Sequence, residues 1–371
     1  MKGVHAWSER DPASVAHLPM SKKQRYSAIM KNKMQAAVFE GNGVLNIKEV
    51  DTPRIVKPDD LIVELEMCSI CGTDVHIMSM PPGYIAKPGT ILGHELVGKV
   101  AAVGEGVKKL KVGDRIVTNP NDYCGVCAYC QLNLPNLCEN IIPMGISADG
   151  GFAEYVRVSE KVAHKIADNL PSEIAAFAEP LACVVHALSR IPVGPSDSVL
   201  VFGAGPIGLL FVHMLKARGA HPVIVSEPVA LRREYAVKCG ADHVVDPTKE
   251  DVTAYVLEKT RIGVDYSVDV VGSQVWEGVK AVRKGGTVLL FGFNAKAKPA
   301  VEQHQITNKE VTVLGTWLAN DSFPKAVKIL ESGELNLRPL ITHTLPMEKT
   351  REAIEILRRG EGIEILIDLT L

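Results

Sequence analysis

The stretch SVLVFGAGPIGLLFVHMLKARG, residues 198–219, most constrains the fold. A short apolar strand signal, SVLVFG (198–203), runs into a helical period, PIGLLFVHMLKARG (206–219), with Pro206 early and Gly219 at its end. Between them Gly203, Gly205 and Gly208 stand in the G-x-G-x-x-G spacing. Alone, that spacing marks no more than a strand–helix turn. Here the first glycine permits the tight turn, the second lets backbone approach a pyrophosphate, and the third allows close helix–strand packing. The helix start around Pro206 and Ile207 then offers free amides to anionic phosphates. Glu227 closes the next strand, PVIVSE (222–227), where an acid accepts hydrogen bonds from ribose hydroxyls. The same acid repels a 2′-phosphate, so NAD is expected over NADP. Arg232 joins the expected cofactor-binding set, although it and Arg233 weigh the other way on a 2′-phosphate.

Around this turn the chain alternates strand and helix signals: LRREYAVKCG (231–240), HVVD, VDYSVDVVG and TVLLFGF. Such alternation builds a parallel sheet with helices on both faces. The amino-terminal half has a different rhythm. From Met34 to about 160 it runs through MQAAVF, LIVELEMC (61–68) and LVGKVAAV (96–103), punctuated by turn clusters such as PPGY and KVGD. Short, closely punctuated strands predict a small barrel or sandwich. Two amphipathic helices, FPKAVKILESG and KTREAIEILRRG, and a last strand, EILIDL, are expected to return to that first domain.

Composition removes whole classes of function. The net charge is −2, which excludes a nucleic-acid binder working by bulk positive charge. Apolar runs such as VLLFGF are far too short for a membrane span. Residues 1–33 carry seven basic and two acidic residues without periodicity or a secretory apolar core. They read as a flexible extension with no assigned function, and the protein is expected in the cytoplasm. Eight cysteines are too few for a disulfide scaffold, and four of them fall within fifteen positions.

Those four, Cys124, Cys127, Cys130 and Cys138, form C-x2-C-x2-C-x7-C. Four thiolates on one tight loop enclose zinc tetrahedrally with no open position, which makes a structural site. An iron–sulfur cluster is the competing reading. Ferredoxin motifs continue with a short gap and a proline, whereas here the gap is long and Glu139 follows. A second metal candidate is dispersed: SICGTDVH (69–76) holds Cys71, Thr73 and His76, GHE (93–95) holds His94 and Glu95, and FAEPLAC holds Glu179. Thiolate, imidazole and carboxylate suit zinc, and an incomplete protein ligand set leaves room for substrate. Spacing alone does not join residues so far apart.

In this order, CGTDVH, GHE, the four-cysteine lobe, EPLAC and GAGPIG resemble the zinc-dependent medium-chain alcohol dehydrogenases, over about residues 34–371. EPLAC is most similar to the sorbitol and polyol branch, and SICGTDVHI also resembles threonine dehydrogenase. The resemblance implies an α/β protein: a GroES-like β-barrel catalytic domain over 34–185, a doubly wound parallel-sheet Rossmann domain over 186–319, and a return to the catalytic domain over 320–371. It implies two zinc ions per chain. The catalytic zinc would be held by Cys71 and His94, with Glu95 as third ligand and Glu179 bound directly or through water. It further places Phe291, Gly292, Phe293, Thr316 and Trp317 near the nicotinamide, and leaves Cys68, Cys183 and Cys239 to packing.

The implied chemistry is hydride transfer from a secondary alcohol to NAD, reversibly. Zinc lowers the pKa of the hydroxyl, and Thr73 passes its proton, through the cofactor ribose, to His76. Sorbitol dehydrogenases carry polar contacts where this chain has Ile77, Leu318 and Ala319, so a polyol other than sorbitol, a sugar derivative or a diol is expected. Asn320, Asp321 and Ser322 lie nearby to read other hydroxyls. The alternatives are a threonine or amino-alcohol dehydrogenase and a non-catalytic zinc-binding relative. The only partners expected are an alcohol or ketone substrate and further copies of the chain, as a dimer or tetramer; no nucleic acid and no membrane is expected.

Overall fold

The computed structural model describes residues 31–371. Nearly all of the expected extension, residues 1–30, lies outside the described residues, and the first strand opens at Lys33 rather than Met34. Two large sheets organise the described chain. Six parallel strands run in the order His243–Val245, Val223–Ser226, Val199–Phe202, Val264–Asp269, Val282–Leu290, Thr312–Gly315. In chain order that is 3-2-1-4-5-6, the doubly wound arrangement. Its central strands are short runs such as VLVF and VIVS, buried at every position, because helices cover both faces.

The order reverses between Val199–Phe202 and Val264–Asp269, and in open α/β sheets ligands bind at the carboxyl ends of the strands at such a switch point. The helix Pro206–Ala217 leaves that point with proline in its first turn. It buries Leu209, Leu210, Phe211, Val212 and Leu215 completely, each contributing about 1.5–3 kcal/mol.

The second sheet is mixed and seven-stranded, with six strands along its main path and Tyr155–Ser159 off it. Asp60–Ser69 lies at its heart, pairing antiparallel with Glu95–Val103, Tyr155–Ser159 and Glu364–Asp368. Arg115–Thr118 and Ala163–Lys165 extend one side, and Ile341–Pro346 runs parallel to the last strand on the other. The helix Thr350–Arg358 buries Ala353, Ile354, Ile356 and Leu357 on one face and leaves Arg351 and Glu352 exposed. The other carboxy-terminal amphipathic helix, Phe323–Ser332, packs on Ala178–Ser189.

Candidate active site and metal centres

The glycine turn has the geometry its spacing asks for. Gly203 takes φ +97, a conformation that excludes a side chain without strain. A Cβ on Gly208 would lie 2.0 Å from the Gly203 carbonyl oxygen, whereas a Cβ on Gly205 would meet nothing within 4 Å. The outer glycines are thus required by packing, and the middle one faces open space where a phosphate approaches. Glu227 is buried, and its carboxylate accepts from the backbone N–H of Ala204 at 2.7 Å and of Val229 at 2.9 Å. Its remaining acceptor capacity is open to ribose hydroxyls. Arg233 is committed to the carbonyls of Glu227 and Pro228 and to Asp246 at 3.1 Å. Arg232 is half-buried, and its Nε has no partner among the described residues.

The dispersed metal candidates converge. One ligand atom each from Cys71, His94 and Glu95 lies within 4.8 Å of the others. Cys71 caps the helix Gly72–Ile77 and donates its backbone N–H to Asp74 Oδ2 at 2.9 Å. Gly93, at φ +88, turns the chain so that His94 and Glu95 follow into the strand beside Cys68 and Ser69. A Cβ at Gly93 would strike Phe152 at 2.9 Å, so the turn also needs glycine for space.

Glu179, in the first turn of Ala178–Ser189, stands outside the 4.8 Å group, yet its charge opposes ionisation of both Cys71 and Glu95. Burial, followed by Glu95, Asp74 and Glu179, pushes the Cys71 thiol well up. Burial, followed by Glu364 and Glu179, does the same to Glu95. A buried thiol among mutually repelling carboxyls is a donor set that a divalent cation would stabilise. The residues therefore fit zinc.

Several neighbours carry no clear mark in the sequence. Asp74 Oδ1 and His94 Nδ1 are 4.0 Å apart, both buried and without hydrogen-bond partners among the described residues. A small ring rotation lets Nδ1–H donate to Asp74 and leaves Nε2 to a metal. The only sequence signal of Asp74 is its place three residues after Cys71. Glu364, from the last strand, accepts from the Ser69 hydroxyl at 2.6 Å, and burial pushes its carboxyl up to about 7. Nothing in the local sequence marks it. Cys183, expected only to pack, sets its Sγ 3.5 Å from Glu179 Oε1, one helical turn away. Thr73 Oγ1 is 3.7 Å from Cys71 Sγ, and His76, on the same short helix, is exposed.

The four-cysteine lobe is a second, local cluster, with all four sulfurs within 4.8 Å of one another. Backbone N–H groups point at the sulfurs: Cys127 to Cys124 at 3.3 Å, Cys124 to Cys138 at 3.3 Å, and Asn140 to Cys138 at 3.3 Å. The amides of Val126 and Cys127 hold the Cys124 thiol down to about 6. Burial works the other way on Cys130, whose thiol it pushes up to about 12, so a cation shared by the four sulfurs is what would hold them all ionised, and the set fits zinc.

The expected nicotinamide segments follow the carboxyl ends of adjacent strands, and Thr316 donates its N–H to the Leu290 carbonyl at 3.0 Å. Phe291 turns inward, edge-on to Phe211 at 5.3 Å. Phe293 is exposed and meets Trp317 at 5.3 Å and Tyr84 at 6.1 Å.

Comparison with known proteins shows the family. Residues 57–168 match the family described as alcohol dehydrogenase GroES-like domain, and residues 206–332 match zinc-binding dehydrogenase. An L-threonine 3-dehydrogenase from Thermococcus kodakarensis is 37% identical, over 91% of this chain and 96% of its own. D-arabinitol dehydrogenase 1 from Uromyces fabae is 32% identical, over 90% and 97%. A zinc-binding dehydrogenase from Sinorhizobium meliloti 1021, solved with NADP bound, superposes with a TM-score of 0.86 at 32% identity, over 91% and 100%.

Proposed function

The chain belongs to the zinc-dependent medium-chain alcohol dehydrogenases, and from that premise we propose that Cys71, His94 and Glu95, with Glu179 beside them, hold the zinc at which it oxidises a polyol, sugar derivative or diol. It is an oxidoreductase acting on secondary alcohols, with zinc and NAD as cofactors. The observation that carries the site assignment is the convergence of Cys71, His94 and Glu95 within 4.8 Å from two separate loops. When bound, zinc supplies a Lewis acid to the alcohol oxygen and NAD accepts the hydride.

The chain's own residues do the rest. Thr73, beside Cys71, would take the hydroxyl proton while giving up its own, which would pass by way of the ribose of bound NAD to the exposed His76 and on to water. Asp74 fixes the His94 ring. Gly203, Gly205 and Gly208 receive the pyrophosphate, with Pro206 and Ile207 at the helix start, and Glu227 reads the ribose. Arg232 faces the same end of the coenzyme, and Phe291, Gly292, Phe293, Thr316 and Trp317 flank its nicotinamide. Cys124, Cys127, Cys130 and Cys138 hold the structural zinc.

The domain division at 34–185, 186–319 and 320–371 is consistent with the last strand pairing back onto Asp60–Ser69. We place the enzyme in the cytoplasm as a homodimer or homotetramer. No described helix is long and apolar enough to cross a membrane.

The threonine relative supplies a second reading, an amino-alcohol dehydrogenase. A spectrophotometric screen of D-arabinitol, sorbitol, inositol, a vicinal butanediol and L-threonine, each with NAD and with NADP, decides between them. Turnover of an uncharged polyol or diol with NAD is the expected result. Preference for L-threonine would establish the second reading, and no turnover of any alcohol would overturn both.

A further inference from the structure

We propose that Arg233 is a positioning residue for coenzyme choice. Held by Asp246, it clamps the turn that carries Glu227 and so keeps the carboxylate where it favours NAD over NADP. This rests on the role given to Glu227 above and assigns Arg233 no contact with the coenzyme itself.

In the sequence, an arginine six positions after Glu227 reads as a ligand for a 2′-phosphate. Its contacts turn it to the opposite use. Nη1 donates to the carbonyl of Glu227 at 2.8 Å and to that of Pro228 at 2.7 Å, and Nη2 lies 3.1 Å from Asp246 Oδ2. Only 18% of the Arg233 side chain is exposed. Asp246 is fixed in turn: its Oδ1 accepts from the backbone N–H of Thr248 at 3.0 Å and from the Thr248 hydroxyl at 2.6 Å, which leaves Oδ2 to face the guanidinium. Lys249 reaches the same oxygen at 3.5 Å but is largely exposed, so it competes weakly.

These contacts close a ring. Ser226 stands opposite Val245 in the sheet, and the N–H of Glu227 donates to the Val245 carbonyl at 3.1 Å. Asp246 follows Val245 and holds Arg233, and Arg233 returns to the Glu227 carbonyl. With the carboxylate accepting from the N–H groups of Ala204 and Val229, every polar atom of Glu227 has a partner. Pro228 has no N–H, so its carbonyl is the turn's remaining anchor there, and Arg233 takes that too. Hydrogen bonds weaken steeply as distance and angle drift, so a reading group is only as well placed as the contacts behind it. The carboxylate has two effects: it accepts from the ribose hydroxyls of NAD and repels a 2′-phosphate. Loosening it should cost the first and relax the second, which changes preference rather than affinity alone.

Titration of the zinc-loaded full chain with NADH and with NADPH, followed by nucleotide fluorescence, measures affinity without turnover. Wild-type enzyme should prefer NADH. Arg233→Leu should raise the Kd for NADH about tenfold, the worth of one hydrogen bond, and leave that for NADPH unchanged. Asp246→Asn is nearly isosteric and can still accept from Thr248. It should shift the preference the same way by several-fold, and it covers the case in which Arg233→Leu fails to fold. In both variants kcat at saturating NAD should not change. In a Glu227→Ala background, Arg233→Leu should have no further effect on the preference. An unchanged preference, equal weakening of both nucleotides, a tighter NADH complex in Asp246→Asn, or an effect that survives in Glu227→Ala would each overturn the proposal. Wild-type enzyme that prefers NADPH, or binds neither nucleotide, sinks the reading of Glu227 instead, before any variant is made.

Discussion

The two cysteine-bearing clusters invite comparison. In the lobe, four ligands come from fifteen consecutive positions, and the loop's own amides point at the sulfurs. In the other, thiol, imidazole and carboxyl arrive from two separate loops, flanked by acids from a helix and from the last strand. A closed set of like ligands suits a metal that holds structure, and an open, mixed set suits one that works on substrate. The difference is also one of origin. The lobe is a local pattern in the sequence, whereas the buried cluster exists only once the sheet has formed.

The largest effect should separate the two. Cys71→Ala should lower kcat by roughly three orders of magnitude, because several kcal/mol of charge stabilisation is lost with the metal. Metal analysis of that variant should find one zinc fewer per chain, with an unchanged melting temperature. Cys124→Ala should do the reverse, lowering melting temperature first, since structural zinc binding is worth about 10–16 kcal/mol in small domains. Equal loss of stability in both variants would erase the distinction.

A finer probe is Asp74→Asn. Its carboxylate stands 4.0 Å from His94 Nδ1, so its loss should weaken zinc affinity by about 10–100-fold at the buried cluster alone. Competition with a chelator measures this. Equal release from both clusters would show that Asp74 does not act through His94.

The smallest effect removes a confusion that acid introduces. Acid strips metal from thiolates, but it also loads His164, which stacks on Phe323 at 5.0 Å. Burial, partly opposed by Asp321 and reinforced by Lys109, lowers the His164 pKa to about 4. The unfolded chain therefore binds the proton first as pH falls below 6.5. Stability is fully present above that value and declines towards pH 4, by at most about 3 kcal/mol and less for partial exposure. His164→Leu should flatten this part of the melting profile while zinc content stays the same. A slope that persists in the variant belongs to the metal sites, to His186 and His213, whose pKa burial also lowers, or to paired carboxylates such as Glu66 and Asp265. Zinc content measured across the same range separates the first from the rest.

Much of this architecture is legible in the sequence because its signals are local. The glycine turn, the strands VLVF and VIVS and the lobe each carry their instruction within about twenty residues. The helix Ala178–Ser189 shows in the sequence only as the motif EPLAC, because burial on nearly every side hides a helical period. Glu364 is invisible there for another reason. It owes its role to Ser69, 295 positions away, and only strand pairing introduces them.

The pairing of Glu364–Asp368 with Asp60–Ser69 has a consequence for assembly. That strand borders the one leading directly into Cys71, and it brings Glu364 to Ser69 across 295 positions. The lobe can gather within its own fifteen positions, whereas the reactive centre waits for contacts between distant parts of the chain. A polypeptide in which that pairing failed would be able to keep a structural ion and unable to catalyse.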